Sequence, residues 1–342
     1  MPQFGTGIIP SGATGAELAA VTRRAFVPKV VVQIYRSTAT LSAFIAQAEG
    51  ITGGVSPVTV PVQGSKMVVT STTDYSGSFT APQVLNGLQN AEFNLKAMVT
   101  PIPYYVMEGL VQVDAAVIPI MEARMNDAGN SITDYLSTNL WTPSASNLDI
   151  WSIPDVVSAS NPARGNFGGI DRTTNTFWQG HTATVTSVTG STAWTRDNVL
   201  ACIASAAKAG SGEMPTFGVV GLGAWAKLAT DITPKEDYVI TPTSAFSQAE
   251  DGAQAVFTAL SVAGVPIYAD LYSPDTTLTL FNIQYIGFKI HSDAAFAIAG
   301  PESLLPNFQL GYIMVLVCLL EFTCSKPAAQ SQFTGFTGAF TL

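Results

Sequence analysis

Charge is what this sequence has least of. Asp, Glu, Lys and Arg make up 11% of its 342 residues, against about 25% in an ordinary soluble domain. A free monomer relies on charged side chains to stay solvated and apart from its neighbours. So large a deficit implies that partners cover much of the surface. Basic residues are the scarcer sign, 15 against 24 acidic ones, for a net charge of -9. That excludes nucleic-acid binding through a broad basic face. It does not exclude a shell that surrounds nucleic acid without gripping it.

Long apolar runs are missing too. The longest, IMVLVCLL from Ile313 to Leu320, is about half of what a membrane-spanning helix needs. It reads as a buried strand, and no membrane association is expected. The opening MPQFGTGIIPSGATG lacks the basic start and apolar stretch of a secretory signal. It reads as an extended arm over residues 1–27. Cysteines number three, Cys202, Cys318 and Cys324. An odd count without a dense framework implies reduced thiols and assembly in cytoplasm. If residues 318 to 324 share one strand, both cysteines there lie on one face, as small buried hydrophobes.

Catalytic hardware is sparse. There are two histidines, His181 and His291, and neither has a second ligand at metal spacing. A Ser-His-Asp triad stays open from chain order, but there is no G-x-S-x-G elbow. Neither a calcium loop nor a Walker loop is present. GLGAWA, Gly221 to Ala226, satisfies G-x-G-x-x-A after a predicted strand. The acid that should follow about 20 residues on falls in a loop, TPKEDYVITPT, so a plain strand-to-helix turn is expected. SAAK, Ser205 to Lys208, matches S-x-x-K, but its S-D-N and K-T-G companions are absent. No cofactor and no metal are expected.

What is present is punctuation and periodicity. A helical piece with some strand character spans Lys29 to Glu49, closed by a GITGG breaker, and SPVTVPVQ alternates as a strand from Ser56 to Gln63. Over residues 64–100, KMVVTSTTDYSGSFTA and NAEFNLKAMVTPIPYY flank a turn-rich PQVLNGLQN. Their apolar content is too thin for a core of their own, so they predict a projecting ribbon that needs a surface to lie on. Ile118, Met121, Met125, Ala128, Ile132, Leu136 and Leu140 keep helical spacing. Asp114 is its N-cap candidate, Pro119 a kink or a start, Gly129 a weak point, and Trp141 with Pro143 its close. HTATVTSVTGSTAW alternates around Gly190 like a hairpin. Thr195 caps a helix that stops at Gly210, and TFGVVGLGAWAKLATDI reads as strand, turn and helix. Residues 278–342 are almost all strand. The class is α+β, with mixed sheets and one dominant helix.

The densest cluster is GNFGGIDRTTNTFWQG, residues 165–180. Asp171 and Arg172 suit a catalytic acid and an oxyanion clamp. They equally suit a turn with paired charges, anchored by Phe167, Phe177 and Trp178. Aromatics and Arg beside glycine are also what protein interfaces use. With no base, metal or phosphate loop beside it, contact is favoured over catalysis.

This segment resembles the Y/F-G-G-I-D-R-x-T-x-x-x-W stretch of tailed-bacteriophage major capsid proteins. Four other stretches fit in the same order: AEFNLKAMVTPIPYYVMEGL, the helix from Ile118 to Leu140, GVPIYADLYSPDTTLTLFNIQYIGFKIHSDAAF and YIMVLVCLLEFTCSKPAAQSQFTGFTG. They cover most of the chain from about residue 56. The resemblance implies the shell-forming fold shared with encapsulins and the herpesvirus capsid floor. It assigns an N-terminal arm at 1–27 and an extended β-loop at 60–100. The peripheral domain, with a long spine helix, takes 28–59, 101–212 and 305–342, and an axial domain takes 213–304. It implies self-assembly as pentamers and hexamers into an icosahedral bacteriophage head around double-stranded DNA, which is bound without sequence specificity. Portal and scaffolding proteins, and a decoration protein, are the further partners implied. Only a short stretch precedes the matching region, so a scaffold is expected as a separate protein. Some relatives join subunits through a Lys-Asn bond; Lys66 and Lys96 flank the loop, and solvated lysines are the preferred reading. Subunit-interface candidates are Phe167, Asp171, Arg172, Phe177, Trp178, Lys66, Tyr75, Phe79 and Phe93. A structural virion protein assembled in the host cytoplasm is expected, not an enzyme. The alternatives are an encapsulin-like compartment or a soluble oligomeric enzyme.

Overall fold

The computed structural model describes residues 38–52, 57–64, 87–106, 108, 120–232, 260–304 and 309–341, apart from the side chains of 120–122. The N-terminal arm, most of the ribbon with Lys66, Tyr75 and Phe79, and Asp114, Ile118 and Pro119 lie outside the described residues. In chain order the described elements are α1 (Ala39–Ala46), β1 (Glu49–Ile51), β2 (Val58–Gln63), β3 (Leu88–Phe93), β4 (Lys96–Tyr105) and α2 (Ile120–Trp141). Then come α3 (Ile153–Val157), β5 (His181–Thr184), α4 (Val185–Thr189), α5 (Arg196–Ala209), β6 (Phe217–Val220) and α6 (Leu222–Ile232). Strands close the chain: β7 (Leu260–Val262), β8 (Val265–Ala269), β9 (Thr277–Phe281), β10 (Ile286–His291), β11 (Ala297–Ser303), β12 (Gly311–Cys324) and β13 (Ser331–Thr334).

The chain forms two compact units. The first includes Ala97–Tyr135 and Asp293–Cys318. In it β11 runs antiparallel to β12 from Ala297 opposite Val317 to Ser303 opposite Tyr312, with an irregularity between Ala299 and Glu302. On the same unit Arg124 of α2 forks onto Glu108, at 2.7 and 2.9 Å, and donates to the Pro103 carbonyl of β4 at 2.8 Å. That fork holds the Glu108 carboxyl below its usual range.

The second unit, Arg36–Lys96, Leu136–Ser292 and Leu319–Leu342, carries a mixed six-stranded sheet in the order β5-β13-β9-β6-β8-β7. Its central strands β9 (TLTLF) and β6 (FGVV) are buried at every position, as expected of strands covered on both faces. Alternation sends Leu278 and Leu280 to one side, where they join Val199, Cys202, Ile203 and Ala206 of α5 and Ala224 and Leu228 of α6. Phe281 turns to the other side and meets Phe44 of α1 edge-on at 5.3 Å. Helix α5 starts where expected: the Thr195 hydroxyl accepts from the Asn198 N–H, and Gly210 follows its last turn. In the same unit β10 pairs with β12 (Ile286 opposite Cys324), β1 adds in parallel to β10, and β2 pairs antiparallel with β3.

Two local expectations are corrected. The segment after His181 is not a hairpin: β5 stops at Thr184 and one helical turn, α4, runs to Gly190, which takes a left-handed φ of 73°. Buried Val185 pulls the turn inward, and that tertiary anchor overrides the β-branched composition. Gly50 belongs to a short strand rather than a breaker, because β1 adds to the edge of β10. The described part of the Lys29–Glu49 piece is a helix, Ala39–Ala46, followed by the start of that strand.

Candidate functional site

The GGIDR loop is a closed, inward-facing construction. Arg172 is 0% exposed. Its guanidinium donates to the carbonyls of Trp178 (3.0 Å), Asp155 (2.7 Å), Val156 (3.0 Å) and Ser160 (3.1 Å). Four backbone oxygens are therefore satisfied by one side chain. Burial lowers the pKa of Arg172 to about 10, so it stays charged near neutrality.

Asp171 faces the other way. Its carboxylate accepts from the Asn161 side chain (2.8 Å) and from the N–H (2.9 Å) and hydroxyl (2.7 Å) of Thr173. Those bonds, Asn161 first, hold its carboxyl below the ordinary range. Asn161 also accepts from the Arg172 N–H at 2.9 Å and so grips both residues of the pair. This is turn chemistry, since an acid poised to give up a proton needs its pKa raised.

The aromatics close the loop from within. The Trp178 indole N–H donates to the Phe167 carbonyl at 2.8 Å. The Phe167 ring meets Phe93 at 5.3 Å and Trp151 at 5.1 Å, both edge-on. Gly168 turns with φ 61°, and a Cβ there would press on Phe93, Ala91 and Trp178. Four interface candidates, Phe93, Phe167, Arg172 and Trp178, are thus buried inside their own unit. They have no side-chain area to present to another copy and act as the loop's foundation. Asp171 and Phe177 remain half-exposed, with the Phe177 ring set against Gly64. Lys96 donates to the Asn147 carbonyl.

The other chemical candidates resolve into packing. The amides of Gly223 and Ala224, at the start of α6, are taken by the Asp275 carboxylate at 2.8 and 3.3 Å. A Cβ at Gly221 would strike Asp275, and one at Gly223 would strike the Phe340 carbonyl. The glycines therefore admit the protein's own acid and chain end where a dinucleotide phosphate would sit. His181 Nε2 and Ser205 Oγ come to 3.3 Å, a pair that chain order did not suggest. Burial lowers the His181 pKa. Cys202, Cys318 and Cys324 are buried, and burial raises the thiol pKa of Cys202 and Cys324 to about 12, which suits packing and not nucleophilic or metal chemistry. Among the described residues no cluster of three or more His, Cys, Asp or Glu could hold a metal ion. No helix among them is long and apolar enough to cross a membrane.

No protein-family model matches the sequence, and no curated protein does. Solved structures do match, over nearly the whole length. The capsid subunit of cyanophage A-1(L) is 13% identical and superposes with a TM-score of 0.67, covering 92% of this chain and 96% of its own. The holo-SrpI encapsulin of Synechococcus elongatus is 10% identical, with a TM-score of 0.57 and coverage of 93% and 95%. The capsid protein of cyanophage P-SCSP1u is 14% identical, with a TM-score of 0.56 and coverage of 93% and 94%. The chain thus has an α+β fold that capsid and encapsulin subunits share. More particularly, it has the fold of phage major capsid proteins, which the encapsulin shares.

Proposed function

We propose that this protein is the major capsid protein of a tailed-phage head, assembling through pentamers and hexamers into an icosahedral shell around double-stranded DNA. The observation that carries this reading is the end-to-end likeness to a phage capsid subunit, at 92% of this chain. The surface agrees with it. Leu148 is 84% exposed and Leu88 76%, and a chain with so few charges gains by covering such side chains with another copy. Self-association would bury apolar area at roughly 25 cal/mol per Å². Several modest contacts per subunit then act together. Fives and sixes are head-to-tail rings that close.

In this reading the chain is structural and not an enzyme. The arm at 1–27, the extended loop at 60–100, the peripheral domain at 28–59, 101–212 and 305–342, and the axial domain at 213–304 remain the working division. Asp171 and Phe177, half-exposed in the loop, are the candidates to meet a neighbour there, together with Lys66, Tyr75 and Phe79 of the extended loop. Portal, scaffolding and decoration proteins are the expected partners, and the virion is the expected location after assembly in host cytoplasm. The wall carries little positive charge to trap DNA during packaging.

The encapsulin match favours one second reading, a compartment holding protein cargo. Size-exclusion chromatography, negative-stain imaging and nucleic-acid extraction of the expressed full chain decide among the readings. Closed particles far larger than a dimer are expected. A stable compact dimer as the sole species would refute shell assembly. In shells recovered from infected or lysogenic cells, DNA supports the phage head, and protein cargo without DNA supports the compartment.

A further inference from the structure

A cleft of about 390 Å³ opens beside the GGIDR loop, within the second unit. Lys96 of β4 and Arg164 both line it. Each is anchored by backbone oxygens and not by an acid. Lys96 donates to the Asn147 carbonyl. Arg164 lies 3.5 Å over the Trp151 ring and donates through Nη1 to the carbonyls of Ser146 (3.3 Å) and Asp149. Among the described residues neither cation makes an ion pair. An ammonium has three N–H donors and a guanidinium five, so both keep donors in hand. Those of Arg164, on Nε and Nη2, are unbonded among the described residues yet are not sealed from solvent. The rim adds neutral donors. Asn94, Asn147 and Asn166 are exposed, and their side-chain amides make no hydrogen bond among the described residues.

Two acids also line the cleft. Glu321 of β12 is 0% exposed. Its Oε1 accepts from the N–H groups of Trp151 (2.8 Å) and Phe322 (3.1 Å), and its Oε2 is buried without a partner. It therefore reaches the cleft through its charge alone. Glu92 is exposed. Asp149 and Asp155 support the Arg164 charge from outside the lining. They are occupied elsewhere, Asp149 by the Ser146 N–H (2.9 Å) and Asp155 by the Ser152 hydroxyl (2.7 Å) and Ser144. Accessible cations and amides, with Glu92 as the one accessible acid of the wall, suit an anion. A carboxylate carries a single charge and two coplanar oxygens that match a guanidinium fork. The volume takes a side-chain-sized group rather than a bare ion.

We propose that this cleft binds a carboxylate group, held by Arg164 and Lys96 and surrounded by the Asn94, Asn147 and Asn166 amides. The group comes either from an acidic side chain of a second copy of this chain or from a free carboxylate. With 24 acidic residues against 15 basic ones, a second copy has acids to offer. That source rests on the shell-forming reading; the site itself does not.

Burial raises the Glu321 pKa to about 7, against the pull of the Trp151 and Phe322 amides and of the Arg164 and Lys96 charges. Above neutrality its negative charge opposes a bound anion, and below neutrality that opposition is gone. Carboxylate affinity therefore rises as pH falls from 8 to 6. A simple alkyl carboxylate, with a pKa of about 4–5, stays charged throughout. The two histidines do not line the cleft.

The test is calorimetric titration of sodium butyrate into the full chain, taken as the smallest species in solution at constant ionic strength, with butyramide as the uncharged control. Saturable one-to-one binding is expected, about three- to tenfold tighter at pH 6 than at pH 8. The variants should move affinity in opposite directions. Lys96→Met, which keeps the alkyl stem, should weaken binding about fivefold or more, and the exposed change Asn166→Ala a few-fold. Glu321→Gln should bring the affinity at pH 8 up to its value at pH 6 and abolish the pH dependence. Circular dichroism checks that each variant is folded. The same titration on assembled particles separates the sources. Binding to the subunit but not the particle supports a second copy's acidic side chain, and binding to both supports a free carboxylate. No saturable binding, equal binding of butyramide, or unchanged affinity in Lys96→Met would overturn the site and leave a cleft that holds water only. Because the titration needs no shell, a failure to assemble and a failure of the site are read separately.

Discussion

Arg172 carries a positive charge into the interior, and every hydrogen bond its guanidinium donates ends on a backbone carbonyl. The charge is thus used as a multi-toothed donor. It ties the α3 turn, through Asp155, Val156 and Ser160, to the chain at Trp178. The planar five-donor fork suits this, and lysine's three donors on a flexible stem do not. Truncation would leave the buried carbonyls of Trp178, Asp155 and Val156 without this donor, with an unfilled space beside the Phe167 ring, which now lies 5.1 Å from the guanidinium. Arg172→Ala should cost at least about 3 kcal/mol, the scale of losing one member of a buried charged network, and Arg172→Lys should recover only part of it. Urea unfolding followed by tryptophan fluorescence checks both. A midpoint within error of the parent for Arg172→Ala would show that the clasp adds nothing to stability.

At the scale of elements, the legible features were those fixed within a few residues. Thr195 and Gly210 bracket α5 because a hydroxyl cap and a terminal glycine act locally. Ala128, Ile132, Leu136 and Leu140 announced α2 because all four turn inward, and all four are buried. The one-turn helix α4 was illegible, since Thr and Val in alternation favour a strand until Val185 is drawn into a core the local sequence does not specify. The site was half legible. Its glycines, aromatics and charge pair were visible, but burial reversed the role of Arg172, and Glu321 gave no signal at all. A single acid in an apolar run shows neither its missing partner nor the cavity beside it. Gly129, inside α2, supports a local prediction. A Cβ there meets nothing within 4 Å, so Gly129→Ala should stabilise the free subunit by about 0.5–1 kcal/mol through backbone entropy. Thermal unfolding of the smallest species measures it; a loss of stability would mean that the helix is not free to accept the methyl group.

For the whole molecule, the question is which parts serve the subunit and which serve the assembly. The paired strands β2 and β3 belong to the subunit: Ala91 and Phe93 are buried, Gln89 bonds Asn175 at 3.1 Å, and the Gly64 N–H donates to the Gly87 carbonyl at 2.8 Å. That last bond allows a clean cut. Replacing residues 65–86 with Asn-Gly would close a two-residue hairpin, the sequence that such a turn prefers. The strand pairing and the floor of the GGIDR loop would survive. If the excised segment exists to lie on a neighbour, the variant should fold with unchanged circular dichroism and near-parental stability. It should then sediment as small species under conditions in which the parent is expected to form particles. Normal shells from the variant would remove the extended loop from the assembly mechanism. Loss of folding would instead show that the segment completes the subunit's own core, which its thin apolar content argues against.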